Sequence, residues 1–240
     1  MNDSTLSATP LLLLPGLICD ARIWASQAAA LRGTRAVHAI DGYGEADSLG
    51  AMAETVLANA PPRFALAGHS MGGRVALEVI RRAPERVERL ALISTGVHLP
   101  RSEKEAEGRF SLLARGVEQG MDALIDAWLP PMVWEPNRLI PGLMDALARM
   151  CADMGLDAYE RHIRALLARP EVESLLPGIR CPTLVATGRH DEWAPPAQHE
   201  GIAAAIPGAR LEIIEEAGHM VPAERPDALT DTLVRWLDIP

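Results

Sequence analysis

Short continuous apolar runs alternate with stretches in which apolar residues recur every three or four positions along the 240 residues. Leu11–Leu14, Ala36–Ile40, Phe64–Ala67, Leu90–Ser94, Thr183–Thr187 and Leu211–Ile214 read as strands, and their unbroken apolar character fits a parallel sheet buried on both faces. Helical spacing marks Ala21–Leu31, Leu49–Asn59, Met71–Arg82, Ala197–Ile206 and Pro226–Leu237. The alternation predicts an α/β fold, a doubly wound and mostly parallel sheet of about six strands. From Val97 to Leu176 strand signals vanish, and Pro130-Pro131, Pro136, Pro141 and Pro170 interrupt helical segments. A helical cap insertion at residues 97–176 is expected, between core segments 1–96 and 177–240. It is either a lid over the carboxyl ends of the strands, where open α/β sheets bind ligands, or a layer that covers the sheet. Trp128, Met132, Trp134, Met144, Met150 and Met154 would serve as pocket lining or as core.

Composition narrows the classes. With 48% apolar residues the chain suffices for a well-buried domain. Its net charge is −9, from 23 basic and 32 acidic residues. No basic cluster interrupts that balance, which argues against nucleic acid or an anionic membrane as partner. Cys19, Cys151 and Cys181 are odd in number and far apart, so they suggest neither a disulfide framework nor a zinc cluster, and fit the reducing cytoplasm. The apolar run at the N-terminus has no basic flank and ends in Pro15-Gly16, unlike a signal peptide. No stretch approaches the ~20 apolar residues of a spanning helix.

The candidate chemistry begins in "FALAGHSMGGRVALEVI", residues 64–80, where a strand pattern turns into a helix pattern around one hydroxyl. Ser70 lies between Gly68 and Gly72 in the G-x-S-x-G arrangement of a nucleophile elbow, in which small neighbours let strand and helix approach closely. The alternative is a glycine-rich turn without chemistry. A serine hydroxyl is a weak nucleophile and needs a base, and the base needs an orienting group. Of the seven histidines, His219 follows the last strand and lies at the same sheet edge as Ser70; His98 is the competing candidate. His69 is expected to pack beside the serine rather than act as the base. For the acid, Asp191 follows the strand Thr183–Thr187 at that edge, with Glu192 its competitor.

The elbow "GHSMGG", the stretch "PTLVATGRHD", the late "GHMVPAERP" and the order Ser70, Asp191, His219 resemble the α/β-hydrolase superfamily. The resemblance implies that Ser70 is the nucleophile, His219 the base and then the acid, and Asp191 the group that orients the imidazole. It implies backbone oxyanion donors at Leu17 and Met71. The chain has Pro15-Gly16 where the family commonly has His-Gly, and only about ten residues precede Leu11, so two early strands of the family are expected to be missing. The implied reaction is hydrolysis of a small-molecule carboxylic ester through an acyl-enzyme, with no metal or organic cofactor. Ile18, Trp24, Trp193 and Met220, with Leu17 and Val221, flank the catalytic loops and are expected to form an apolar substrate pocket. Arg74 after the second glycine of "GHSMGGR" also resembles the menaquinone-pathway lyases of the superfamily, which act on a polyanion; it could equally be a structural ion-pair partner. A low-turnover ligand-binding or signalling member is a further alternative. The sequence leaves the oligomeric state open.

Overall fold

The four leucines Leu11–Leu14 form β1, each at most 3% exposed, and burying each stabilises the fold by ~1.5–3 kcal/mol. The computed structural model describes residues 8–100 and 102–238. Residues 1–7 and 239–240 of the two expected core segments, and residue 101 of the expected insertion, lie outside the described residues. The N-terminal stretch read as unlike a signal peptide, residues 1–16, lies outside them in its first seven residues.

Five further strands complete the sheet among the described residues: β2 (Val37–Ala39), β3 (Phe64–His69), β4 (Val87–Ile93), β5 (Thr183–Gly188) and β6 (Arg210–Ile214). All neighbours pair in parallel, in the order β2-β1-β3-β4-β5-β6. Every residue of β1, β3 and β5 is buried, which requires cover on both faces. The chain steps from β1 outward to β2, then crosses back to β3 on the other side. That reversal opens a crevice at the carboxyl ends of β1 and β3.

Helices α1 (Ala25–Leu31), α2 (Leu49–Asn59) and α3 (Met71–Arg82) precede β4. Between β4 and β5 come α4 (Glu103–Gln119), α5 (Met121–Trp128) and α6 (Leu143–Leu167), with no strand among the described residues. α6 is broken at Gly155, whose φ of 78° and ψ of 172° leave the helical region. Helices α7 (Pro196–Ala205), α8 (Val221–Glu224) and α9 (Pro226–Leu237) finish the chain.

Element boundaries differ from the sequence reading in a few places. Residues Ala21–Trp24 form a 3-10 turn, capped by the Asp20 carboxylate on the Arg22 N–H, so α1 begins at Ala25. β4 starts three residues before Leu90 and stops before Ser94, because Ser94 has φ +46°. The registers matter more for the site. Leu14 pairs with Gly68, His69 with Ile93, and Gly188 with Ile214. The chain therefore leaves β1, β3, β5 and β6 at one sheet edge.

Candidate active site

Steric crowding shapes the turn at Ser70. A Cβ on Gly68 would collide with the Gly72 carbonyl, one on Gly72 would sit 2.5 Å from the Leu14 carbonyl oxygen, and one on Gly73 2.7 Å from Thr95 Cβ. Only glycine lets α3 start this close to β1 and β4. Ser70 itself takes φ +54° and ψ −117°, a conformation that costs ~1–3 kcal/mol and persists only where neighbours enforce it. They do. Its N–H donates to the Ile93 carbonyl at 2.8 Å, and its own carbonyl accepts the Thr95 hydroxyl at 2.6 Å and the Gly73 N–H at 3.0 Å.

The structure brings three of the singled-out side chains into one hydrogen-bonded chain. Ser70 Oγ lies 2.8 Å from His219 Nε2, and His219 Nδ1 lies 3.0 and 2.9 Å from the two Asp191 oxygens. Asp191 is buried and accepts the N–H groups of Trp193 and Ala194 at 3.0 and 2.8 Å and the Thr187 hydroxyl at 3.1 Å. Burial favours its neutral acid, but the His219 charge and hydrogen bond and the Ala194 N–H outweigh burial and hold the carboxyl below the usual range. The loops carrying Asp191 and His219 meet because Gly188 has no side chain: a Cβ there would strike the carbonyls of Ala217 and Gly218. Glu192, the competing acid, is exposed. His98, the competing base, is half-buried at the cavity lining and pairs with Glu173 rather than with Ser70.

The other buried histidines hold backbone. His69 Nε2 lies 2.9 Å from the His219 carbonyl, and burial, reinforced by the His219 charge, lowers its pKa to about 3. It is neutral at neutral pH, so its Nε2–H donates to that carbonyl. His162 on α6 accepts the Ile18 N–H at 3.2 Å, which supports Ile18 at φ +44°. His199 accepts the Thr95 N–H at 3.0 Å. Neither the Leu17 nor the Met71 N–H has a hydrogen-bond partner among the described residues.

A cavity of about 460 Å³ opens above Ser70. Leu17, Met71, Trp193 and Met220 line it, but Ile18, Trp24 and Val221 do not. That corrects the expected pocket. Ile18, Trp24 and Val221 are completely buried; Trp24 donates its indole N–H to the Leu14 carbonyl at 3.1 Å and meets the His69 ring edge-on. These side chains turn under the loops they flank. Trp128 and Met132 reach the cavity from the segment between β4 and β5, whereas Trp134 stacks on His190 at 4.5 Å and Met150 lies in the core.

Several residues went unmarked in the sequence. Glu224 is buried and accepts five N–H contacts: both oxygens take the Gly218 N–H, and the Met220 N–H, Trp134 N–H and Asn137 amide follow at 2.9–3.0 Å. Its only signal was its place in "GHMVPAERP", five residues after His219. Thr95 and Ser94 carry no pattern, because their importance comes from lying across the sheet from Ser70. Among the described residues no group of three or more His, Cys, Asp or Glu side chains could hold a metal ion.

A parallel sheet with a serine at a strained strand-to-helix turn and a histidine within hydrogen-bond reach defines a class, and the comparisons agree: the chain belongs to the alpha/beta hydrolase family, whose profile matches residues 11–232. It is 32% identical to a putative carbamate hydrolase, RutD, of Pseudomonas savastanoi pv. phaseolicola, over 95% of this chain and 94% of that protein. Among solved structures, a thermophilic esterase from Thermogutta terrifontis, determined with malate bound, superposes with a TM-score of 0.88 at 28% identity, covering 96% of this chain and 89% of that one. The enol-lactonase of Burkholderia xenovorans LB400 gives 0.86 at 28% identity, covering 97% and 92%. These relatives are hydrolases. No helix among the described residues is long and apolar enough to cross a membrane.

Proposed function

We propose that this protein is a serine hydrolase that cleaves small-molecule carboxylic esters through a Ser70–His219–Asp191 triad. The observation that carries this reading is the 2.8 Å separation of Ser70 Oγ and His219 Nε2, with His219 Nδ1 facing Asp191. Asp191 stabilises the tautomer with the proton on Nδ1, leaving Nε2 free to accept the serine proton. Ser70 Oγ attacks the ester carbonyl as its proton passes to Nε2. The oxyanion that forms is received by the N–H groups of Leu17 and Met71, which have no other partner among the described residues. The alcohol then leaves with the proton from His219, and a water activated by the same imidazole releases the acid. An esterase and an enol-lactonase among the relatives support an ester linkage. Residues 97–176 act as a cap that supplies Trp128 and Met132 to the cavity. The three cysteines, all free thiols, fit a cytoplasmic setting.

The test is a panel of p-nitrophenyl esters beside labelling with a fluorophosphonate. Wild-type protein is expected to turn over at least one ester and to label once per chain, and Ser70→Ala to do neither. Labelling of Ser70→Ala at wild-type stoichiometry would sink the assignment. The lyase reading draws support from Arg74, which lines the cavity. Elimination without ester hydrolysis would decide for it.

A further inference from the structure

We propose that the substrate is a monoanionic ester, one bearing a free carboxylate besides its ester carbonyl, and that Arg74, Lys104 and Arg109 form the wall that receives the carboxylate. This rests on the serine-hydrolase reading for the reacting atom and adds the charge of the ligand.

The cavity has two unlike walls. Leu17, Leu112, Trp128, Met132, Leu166 and Met220 make one side apolar. Among the described residues, Arg74, Lys104, Arg109 and Arg169 lie on the lining with a single carboxylate, Glu105. Four cations against one acid run counter to a chain with 32 acidic and 23 basic residues, and Lys104 is its sole lysine. Arg169 is consumed by structure: it is buried and donates to both Glu105 oxygens at 2.7 and 2.8 Å and to the carbonyls of His98 and Leu166 at 2.8 and 2.7 Å. Arg109 shares the same carboxylate at 3.2–3.3 Å. Burial opposes ionisation of Glu105, but Arg169 and Arg109 outweigh it and lower its pKa to about 2, so it remains an anion. Glu105 thus sets one negative charge between two guanidiniums, and Arg74 and Lys104 stand on the same lining.

Arg74 stands one helical turn after Ser70, about 6 Å along the axis of α3. Its guanidinium lies on the cavity lining and donates to the His98 carbonyl at 3.2 Å. Gly96 makes room for it, since a Cβ there would lie 2.9 Å from Arg74 Nη2. A concave site with low-dielectric walls concentrates such a field on what enters, and a carboxylate leaving water needs charged donors of this kind. An independent observation points the same way. Ser94 Oγ is fully buried on the cavity lining, at φ +46°, and has no hydrogen-bond partner among the described residues. A buried hydroxyl left without a partner is destabilising, and a polar ligand atom would relieve it.

The decisive experiment uses full-length Ser70→Ala, which leaves the ester intact, and isothermal titration with monomethyl glutarate and dimethyl glutarate. The monoanion is expected to bind at least tenfold more tightly than the neutral diester, with the ratio shrinking as salt rises. Adding Arg74→Gln should bring the ratio close to one; Lys104→Gln, at an exposed position, gives a smaller loss in the same direction if the arginine variant fails to fold. In the wild type, kcat/KM for the p-nitrophenyl half-ester of glutaric acid should exceed that for p-nitrophenyl butyrate by a similar factor. Equal or weaker binding of the monoanion by Ser70→Ala overturns the proposal. In that case labelling and ester turnover by the wild type still report on Ser70, so the two readings fail separately.

Discussion

Glu224 accepts the backbone N–H of Gly218 on both carboxylate oxygens, each at 3.0 Å. The same carboxylate takes the Met220 N–H at 3.0 Å, so it brackets His219 on both sides. Through Trp134 and Asn137 it also ties this loop to the segment between β4 and β5. Glu224→Gln would turn an amide NH₂ toward several N–H donors. An angstrom of misplacement at a reacting group can cost ~10²-fold. The variant is expected to lose 10- to 100-fold in kcat on a p-nitrophenyl ester, in parallel with its rate of fluorophosphonate labelling, with a smaller change in KM. A kcat within twofold of wild type would show that the loop holds His219 without this carboxylate.

The Asp191 carboxylate faces His219, whereas Glu192 is exposed. Asp191→Asn should preserve the fold while favouring the imidazole tautomer that cannot accept the serine proton; in a serine protease the same change costs ~10⁴ in kcat. Glu192→Gln should stay within a few-fold of wild type. The two kcat values on one ester, with circular dichroism to verify folding, make the check. A larger loss in Glu192→Gln would move the acid.

Gly72 has the Leu14 and Pro15 carbonyl oxygens 2.5 and 2.6 Å from where a Cβ would be. Backbone cannot yield as a side-chain end does, so Gly72→Ala must push α3 away from β1. A loss of ~1–3 kcal/mol, the range for overpacked cores, should appear as a lower urea midpoint. An unchanged midpoint together with unchanged kcat would mean that the elbow has slack.

Three buried histidines set a pH dependence of stability. Burial is the main cause in each, lowering His69 to about 3 and His162 and His199 to about 4. In the unfolded chain they titrate near the ordinary ~6.5. As pH falls from 7 to 5 the unfolded state takes up protons that the native state refuses, so stability falls with pH. By pH 5 the loss is on the order of 2 kcal/mol per histidine. Urea unfolding at both pH values should show it, and His162→Gln should narrow the gap. An identical gap in the variant would mean that His162 is protonated in the native state.

The sequence by itself determined the order and kind of the elements, because a strand buried on both faces demands an unbroken apolar run and a helix on a sheet demands apolar residues every three or four positions. It also determined the elbow, since G-x-S-x-G is a local steric statement about one turn. The common edge of Ser70, Asp191 and His219 followed from parallel strands, whose carboxyl ends all lie on one side. Only the tertiary structure decided which flanking side chains face the cavity. Trp24 and Trp193 look alike in sequence, yet one is sealed beneath the loop after β1 and the other stands at the cavity. Arg74, Lys104 and Arg109 lie on three different turns of two helices far apart in the chain, so no spacing rule joins them. Glu224 likewise depends on partners 80 to 90 residues away, Trp134 and Asn137. Periodicity records which face of an element is apolar; which other element meets that face, and which polar groups it leaves uncovered, is settled by packing at long range.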